Sequence, residues 1–416
     1  MDSLFDKITD RRSSLSVKWN KEVIASMCGN PEAEPFWVAD MDFPVAPEVS
    51  RQAQVLAEHA IYGYPHDPRQ KDAFLGWAKQ WHQMDLSHNQ VVLSQGVLNS
   101  IAILLDLLSE QQDEIIVPFP SYQPFVTMVN NLGRTLSPWP LSYDEYLHQF
   151  SLDWNEFEKR CKTAKILLFC SPHNPSGLVF SEAELTKLCT IAKDHGVTII
   201  SDEIHADLRF TSFVSLLEVG KKTGCESIAC MAPSKTFNMA GEHYSITLFN
   251  NPSLKKAYEK RLQQLFLSGN SFFAATLATA AYQSGETWLS ELLAYLQDNL
   301  AYIDETLQRH VPEIVCIKPK ASFIALLDCY ALLPLVEKDR DAHPELYDSK
   351  KSPGGGLLSR FFGQRANVAF NDGTFFGGEE YRRFVRINFG TQRIRLEQAM
   401  ERIIRAVEVL RNTYGS

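Results

Sequence analysis

The sequence predicts an α/β fold, in which a mostly parallel sheet covered by helices is followed by a smaller α+β unit. Three observations lead there. Six short β-branched or aromatic runs punctuate the middle of the chain: Val91 to Leu93, Ile115 to Val117, Ile166 to Phe169, Val197 to Ile200, Ser227 to Met231 and Tyr244 to Phe249. Helix-period segments separate several of them, and strands that alternate with helices pair in parallel and are buried on both faces. After about residue 286 the pattern changes to one long helix and then to short strands.

Each element follows from local chemistry. Ser181 to His195 opens S-E-A-E, which places Ser181 as an N-cap, and Gly196 marks the end of that helix. From Glu286 to Arg309, Leu289, Leu292, Leu293 and Leu296 are spaced for one buried face, so a long helix joins two domains. Strands are then expected near Ile314 to Ile317, Phe323 to Leu327 and Phe384 to Asn388, with a closing helix over Leu396 to Arg411. The polar stretch Leu332 to Gly356, ending S-P-G-G-G, reads either as an ordered insertion or as a mobile loop. Its glycines are not a phosphate loop, because no strand feeds them and no G-K-S/T follows. The division expected is an N-terminal arm over 1–48 belonging with the small domain, a large domain over 49–290 and a small C-terminal domain over 291–416.

Composition narrows the function classes. Of 416 residues, 45% are hydrophobic and 22% charged, an ordinary globular balance with enough apolar residues for two large cores. A net charge of -9, from 41 basic and 50 acidic residues spread along the chain, leaves no basic patch to displace counterions from nucleic acid. The eight cysteines form no C-x-x-C pair, and in a chain this long they suggest a reducing cytoplasm, not a disulfide framework. The start, MDSLFDKITDRRSS, has no leader-like apolar run, and no stretch approaches the ~20 apolar residues that span a bilayer. A cytoplasmic protein without membrane or nucleic-acid partners is expected.

Three polar clusters follow predicted strands: Ser171-Pro-His-Asn174-Pro-Ser-Gly177, Ser201-Asp202-Glu203-Ile-His205 and Ser234-Lys235-Thr236. In a parallel sheet, ligands sit at the carboxyl ends of strands, so all three fall on one rim. Taken singly each has a plainer reading. S-P-x-N-P is a turn, Asp202 a helix N-cap, His205 a structural histidine and Lys235 a solvated lysine. A metal pair is ruled out by spacing: H-E-x-x-H is absent, and the adjacent Asp202 and Glu203 point to opposite faces of a strand.

Together the clusters run N-P-x-G, D-E-x-H, S-K-T, with 28 residues from Asn174 to Asp202 and 33 from Asp202 to Lys235. This order resembles the fold-type I pyridoxal-phosphate enzymes, the class I/II aminotransferase superfamily, and the resemblance implies a seven-stranded-type sheet in the large domain. W-V-A-D-M-D-F at Trp37 to Phe43, Y-G-Y at Tyr62 to Tyr64, S-D-E-I-H-A-D at Ser201 to Asp207, A-P-S-K-T-F-N-M-A-G at Ala232 to Gly241 and R-I-N-F-G at Arg386 to Gly390 look like the cystathionine β-lyase and C-S lyase branch.

The resemblance implies pyridoxal 5'-phosphate carried on Lys235, whose amine must lose its proton to react and then takes the substrate's α-proton. It further implies that Asp202 holds the proton on the pyridine nitrogen, that Asn174 and His205 approach the ring oxygen, and that Tyr122 stacks on the ring face. The phosphate is expected on the backbone amides of Gly96, Val97 and Leu98 where a strand passes into a helix, with Ser234 as a nearby hydroxyl. The family commonly has a hydroxyl residue three before the lysine, where this chain has Ala232. Phosphate binding therefore falls more heavily on Gly96 to Leu98 and on Tyr64, which in relatives reaches in from a neighbouring subunit. A homodimer with active sites at the subunit interface is implied. Arg386 matches the arginine that forks onto the substrate's α-carboxylate, with Val38 and Ala39 of the arm lining the same pocket.

All amino-acid chemistry of this cofactor shares the carbanion at Cα, so these residues stop at cofactor and substrate class. Position 243, eight after the lysine, is histidine where many aminotransferases have a phosphate-binding arginine, which leans toward a lyase that cleaves cystathionine or related cysteine S-conjugates to thiol, pyruvate and ammonia. The G-E-H-Y run at Gly241 to Tyr244 and T-Q after Gly390 depart from C-S lyase wording, so an aminotransferase is the alternative. A regulatory protein-binding role, alongside or instead of catalysis, is a third reading.

Overall fold

Seven strands form the central sheet of the computed structural model, which describes residues 3–415. In chain order they are β1 (Val91–Ser94), β2 (Glu114–Phe119), β3 (Thr135–Pro140), β4 (Ile166–Cys170), β5 (Thr198–Asp202), β6 (Ser227–Met231) and β7 (Ser245–Phe249). Across the sheet they lie β1, β7, β6, β5, β4, β2, β3, and only β7 is antiparallel to its neighbours.

Six of the seven follow the apolar runs to within a residue or two. The exception is β3, with sequence TLSPWP. Its Pro138 and Pro140 cannot donate to a ladder, which hides it from pattern reading, and the sheet accommodates it at an edge where it pairs only with β2.

The two-residue period of the strands splits the core. Leu167 and Phe169 of β4 join Ile116, Ile199 and helix residues Leu185 and Leu188 on one face. Ile166, Leu168 and Cys170 join Val117, Ile200, Ile228 and Leu104 on the other. Helix α1 (Val97–Leu108) covers the second face and α2 (Glu182–Asp194) the first. Ser181 caps α2 as expected, in a reciprocal capping box with Glu184.

Helix α3 (Glu286–His310) leads to a four-stranded antiparallel sheet, in the order β8 (Val315–Ile317), β9 (Ile324–Asp328), β11 (Phe384–Asn388), β10 (Asn371–Asp372). The segment between β9 and β10, which includes the stretch Leu332 to Gly356, is folded and partly helical. It holds α4 (Leu333–Ala342), with Leu333, Val336 and Asp339 buried, and Arg365 grips Asp339 with a bidentate pair at 2.7 and 2.9 Å. Its glycine run serves close packing, since a Cβ on Gly355 would lie 1.7 Å from the Met27 carbonyl oxygen. Helix α5 (Arg393–Tyr414) closes the chain. The arm joins this C-terminal unit, because Glu34–Pro35 pairs in parallel with Val368–Ala369. No helix among the described residues is long and apolar enough to cross a membrane.

Candidate active site

The register of the central strands aligns the predicted clusters. Cys170 pairs with Asp202, and Asp202 with Cys230, so β4, β5 and β6 end at one level. The next few residues of each strand then emerge on the same rim. A cavity of about 290 Å³ lies there, walled by Gly96, Val97, Leu98, Tyr122, Asn174, Asp202, His205, Ser234, Lys235 and Ala39.

Lys235 sits on a single helical turn, Pro233–Thr236, directly after β6. Pro233 suits the start of a helix, where its missing N–H costs nothing. The turn is anchored from behind: Thr236 Oγ1 donates to the Asp207 carboxylate at 2.6 Å, and the same buried carboxylate accepts from Trp77 Nε1 at 2.9 Å and meets His82 Nε2 at 2.7 Å. Lys235 Nζ donates to the Ala39 carbonyl at 2.6 Å. Loss of hydration lowers its pKa to about 8, and Arg386 adds to this, while Asp40 and Asp202 oppose it.

Asp202, the last residue of β5, is buried against the same space. Burial raises its carboxyl to about 6, against the hydrogen bond it accepts from the Ile204 N–H and the charge of Lys235. Glu203 points the other way, as strand alternation requires, and accepts from Ser201, Ser215 and the Leu216 N–H. His205 is held neutral by burial, its pKa lowered to about 3, and its Nδ1 lies 3.0 Å from Ser322 Oγ. Tyr122 stands at the wall with its hydroxyl pushed up to about 12 by burial.

Gly96 enters α1 with φ +95°, a conformation that side chains resist. The first N–H groups of that helix, at Val97 to Asn99, lack intrahelical acceptors, and these residues line the cavity corner, a ready anion cradle. His243 borders the same corner, its Nδ1 being 3.5 Å from where a Cβ on Gly96 would stand.

Arg386 on β11 is buried with no carboxylate partner among the described residues. It donates to Asn174 Oδ1 at 3.0 Å, the Trp37 carbonyl at 2.8 Å and Asn371 Oδ1 at 2.8 Å, and its Nε has no partner. Desolvation lowers its pKa to about 10. A buried guanidinium without a counter-ion is costly unless an anion joins it.

Of the arm, Ala39 reaches the wall, whereas Val38 stands one residue back with its carbonyl accepting from Asn388 Nδ2. Tyr64 is fully exposed in the single chain and is not part of this cavity. Sequence reasoning missed the supports. Asp207 and Thr236 brace the lysine, and Lys18 and Arg11 hold Asp42 at 2.8 and 2.7 Å behind the Ala39 segment. Lys18 is buried, and burial is not readable from a lone lysine.

Known proteins share this fold. The family model described as aminotransferase class I and II matches residues 38–403. The cystathionine beta-lyase PatB of Bacillus subtilis is 34% identical over 78% of this chain and 84% of that protein. The structure of cystalysin from Treponema denticola, which contains pyridoxal 5'-phosphate, superposes with a TM-score of 0.87 at 25% identity, covering 98% of this chain and 99% of the other. The PLP-bound C-S lyase from Staphylococcus hominis follows with a TM-score of 0.84 at 27% identity over 98% of both chains. With the family model spanning most of its length and the lysine, aspartate, asparagine and arginine gathered on one rim, the chain belongs to the class I and II aminotransferase family.

Proposed function

We propose that the protein is a pyridoxal-phosphate-dependent carbon-sulfur β-lyase that cleaves cystathionine or related cysteine S-conjugates to a thiol, pyruvate and ammonia. One observation carries the reading. Lys235, with its pKa lowered to about 8, shares a cavity with the carboxylate of Asp202 and the open N-terminus of α1, and beyond Asn174 stands Arg386, which has no carboxylate partner among the described residues.

The residues fit the cofactor. The amides of Gly96, Val97 and Leu98 and the Ser234 hydroxyl suit a phosphate, and Tyr122 offers a ring face. Asp202, costly to ionise alone, gains from a protonated ring nitrogen beside it. Asn174 and neutral His205 suit the ring oxygen. Pyridoxal phosphate, when bound, supplies the electron-accepting ring that makes an amino acid's α-proton removable.

The chain's own groups do the rest. Arg386 forks onto the α-carboxylate, with Ala39 and Val38 bounding that end of the pocket, and so fixes which bond at Cα faces Lys235. The Lys235 amine takes the α-proton and passes it toward the departing sulfur, so that the Cβ–S bond breaks as the thiol leaves. Water completes the balance by converting the remaining three-carbon unit to pyruvate and ammonia.

The lyase ranks ahead of the transaminase because a relative named for cystathionine cleavage is 34% identical, and because His243 stands at the phosphate corner. The deciding experiment is incubation with cystathionine in the absence of any keto acid. Pyruvate and thiol are expected; turnover only with added 2-oxoglutarate or pyruvate would make the protein a transaminase. The active form we infer is a homodimer. Exposed Ile61, Tyr62, Tyr64 and Phe266 supply apolar surface of the kind a partner covers, with Tyr64 reaching the partner's phosphate site. Eight buried free thiols agree with a reducing cytoplasm.

A further inference from the structure

A second cavity, of about 560 Å³, adjoins the first. Ala240 and Glu242 wall both, and successive arm residues line them in turn, Ala39 the first and Asp40 the second. Their shared border thus lies beside the carbonyl that holds Lys235. The Cβ–S bond would be broken in the first cavity, and the second is the adjoining space for a longer sulfur substituent.

The charges of the second cavity are nearly all spent. Arg11 pairs with Asp40 at 2.8 Å and Asp42 at 2.7 Å, and Lys18 pairs with Asp42 at 2.8 Å. These four groups neutralise one another. Glu242 differs. Its backbone N–H donates to the Met239 carbonyl at 3.0 Å, while its carboxylate has no hydrogen bond or ion pair among the described residues. Within the single chain it is a negative charge without a charged partner among the described residues, at the border of the two cavities, and it belongs to the G-E-H-Y run that departs from C-S lyase wording.

We infer that Glu242 determines substrate choice, favouring cysteine S-conjugates whose sulfur substituent extends past it into the second cavity and bears an ammonium group. This rests on the lyase reading. An ammonium finds an open acceptor there, a neutral tail gains only apolar contact, and an anionic tail meets Glu242 with Arg11 already occupied.

The test uses S-(2-aminoethyl)-L-cysteine and S-propyl-L-cysteine, which differ by an ammonium in place of a methyl. In the holoenzyme, kcat/KM should favour the aminoethyl compound by roughly fivefold, the size of a half-exposed charge pair. Raised salt should shrink that ratio, and Glu242→Gln should bring it near one. A ratio of one in the unaltered enzyme, or a ratio unchanged in E242Q, overturns the inference while thiol release upholds the lyase. If neither these compounds nor cystathionine yields thiol, the lyase reading falls instead. The preference is then read from equilibrium binding of the two amino acids, where equal affinity overturns it and a preference lost in E242Q sustains it.

Discussion

Arg386 Nη1 donates to Asn174 Oδ1 across 3.0 Å, which ties β11 of the small sheet to the loop after β4 of the large one. The group proposed to clamp the substrate carboxylate and the group proposed to meet the cofactor's ring oxygen are therefore one mechanical unit. A shift in either sheet is felt at both.

Arg386→Ala should raise KM for a cysteine S-conjugate by about 100-fold, since charged hydrogen bonds of this kind contribute about 1.5–3 kcal/mol each. Arg386→Lys should recover little, because an ammonium cannot reproduce the fork that spans Asn174 and Asn371. Steady-state kinetics check this. A KM within a few-fold of the original in R386A would remove Arg386 from the substrate site.

The Lys235 amine reacts only when neutral, and burial lowers its pKa from 10.5 to about 8. Capture of pyridoxal phosphate by the apoprotein should accelerate as pH rises toward 8 and level off above it. Following the near-visible absorbance over a pH series measures this, and Lys235→Ala should show no such band. A midpoint near 10.5 would mean that Lys235 is solvated and not the carrier.

Asp202 has the opposite linkage. Its folded pKa, raised by burial to about 6, exceeds the ordinary value of 3.8, so between about pH 4 and 6 the unfolded chain releases its proton first and the apoprotein loses stability as pH rises. Asp202→Asn should therefore stabilise the apoprotein at pH 7 by on the order of 2–3 kcal/mol and leave it unchanged near pH 3.5, while abolishing turnover. Denaturant melts at the two pH values test it; destabilisation at pH 7 would count against a strained, buried carboxylate.

Much of the fold was legible because strands buried on both faces are written as unbroken apolar runs. β4, β5 and β6 all fall where those runs predict, and Ser181 marks the start of α2. β3 escaped because its prolines contradict a strand until an edge position makes their missing donors harmless. The stretch after Leu332 reads as polar because only Leu333, Val336 and Asp339 of α4 turn inward, and Asp339 is buried because Tyr347 and, from 26 residues away, Arg365 satisfy its carboxylate.

At the site, residue identity and order along the chain announced the chemistry: Asn174, Asp202 and Lys235 each stand at or just past a strand end, and parallel strands deliver such residues to one rim. That much the amino-acid order determined by itself. The tertiary structure decided the electrostatics. It turned Asp40 and Asp42 into ion pairs with Arg11 and Lys18, left Arg386 and Glu242 without charged partners among the described residues, and backed the Lys235 turn with Asp207. Whether a charge is spent or available depends on desolvation and on neighbours tens to hundreds of residues away, and these exist only once the chain has folded.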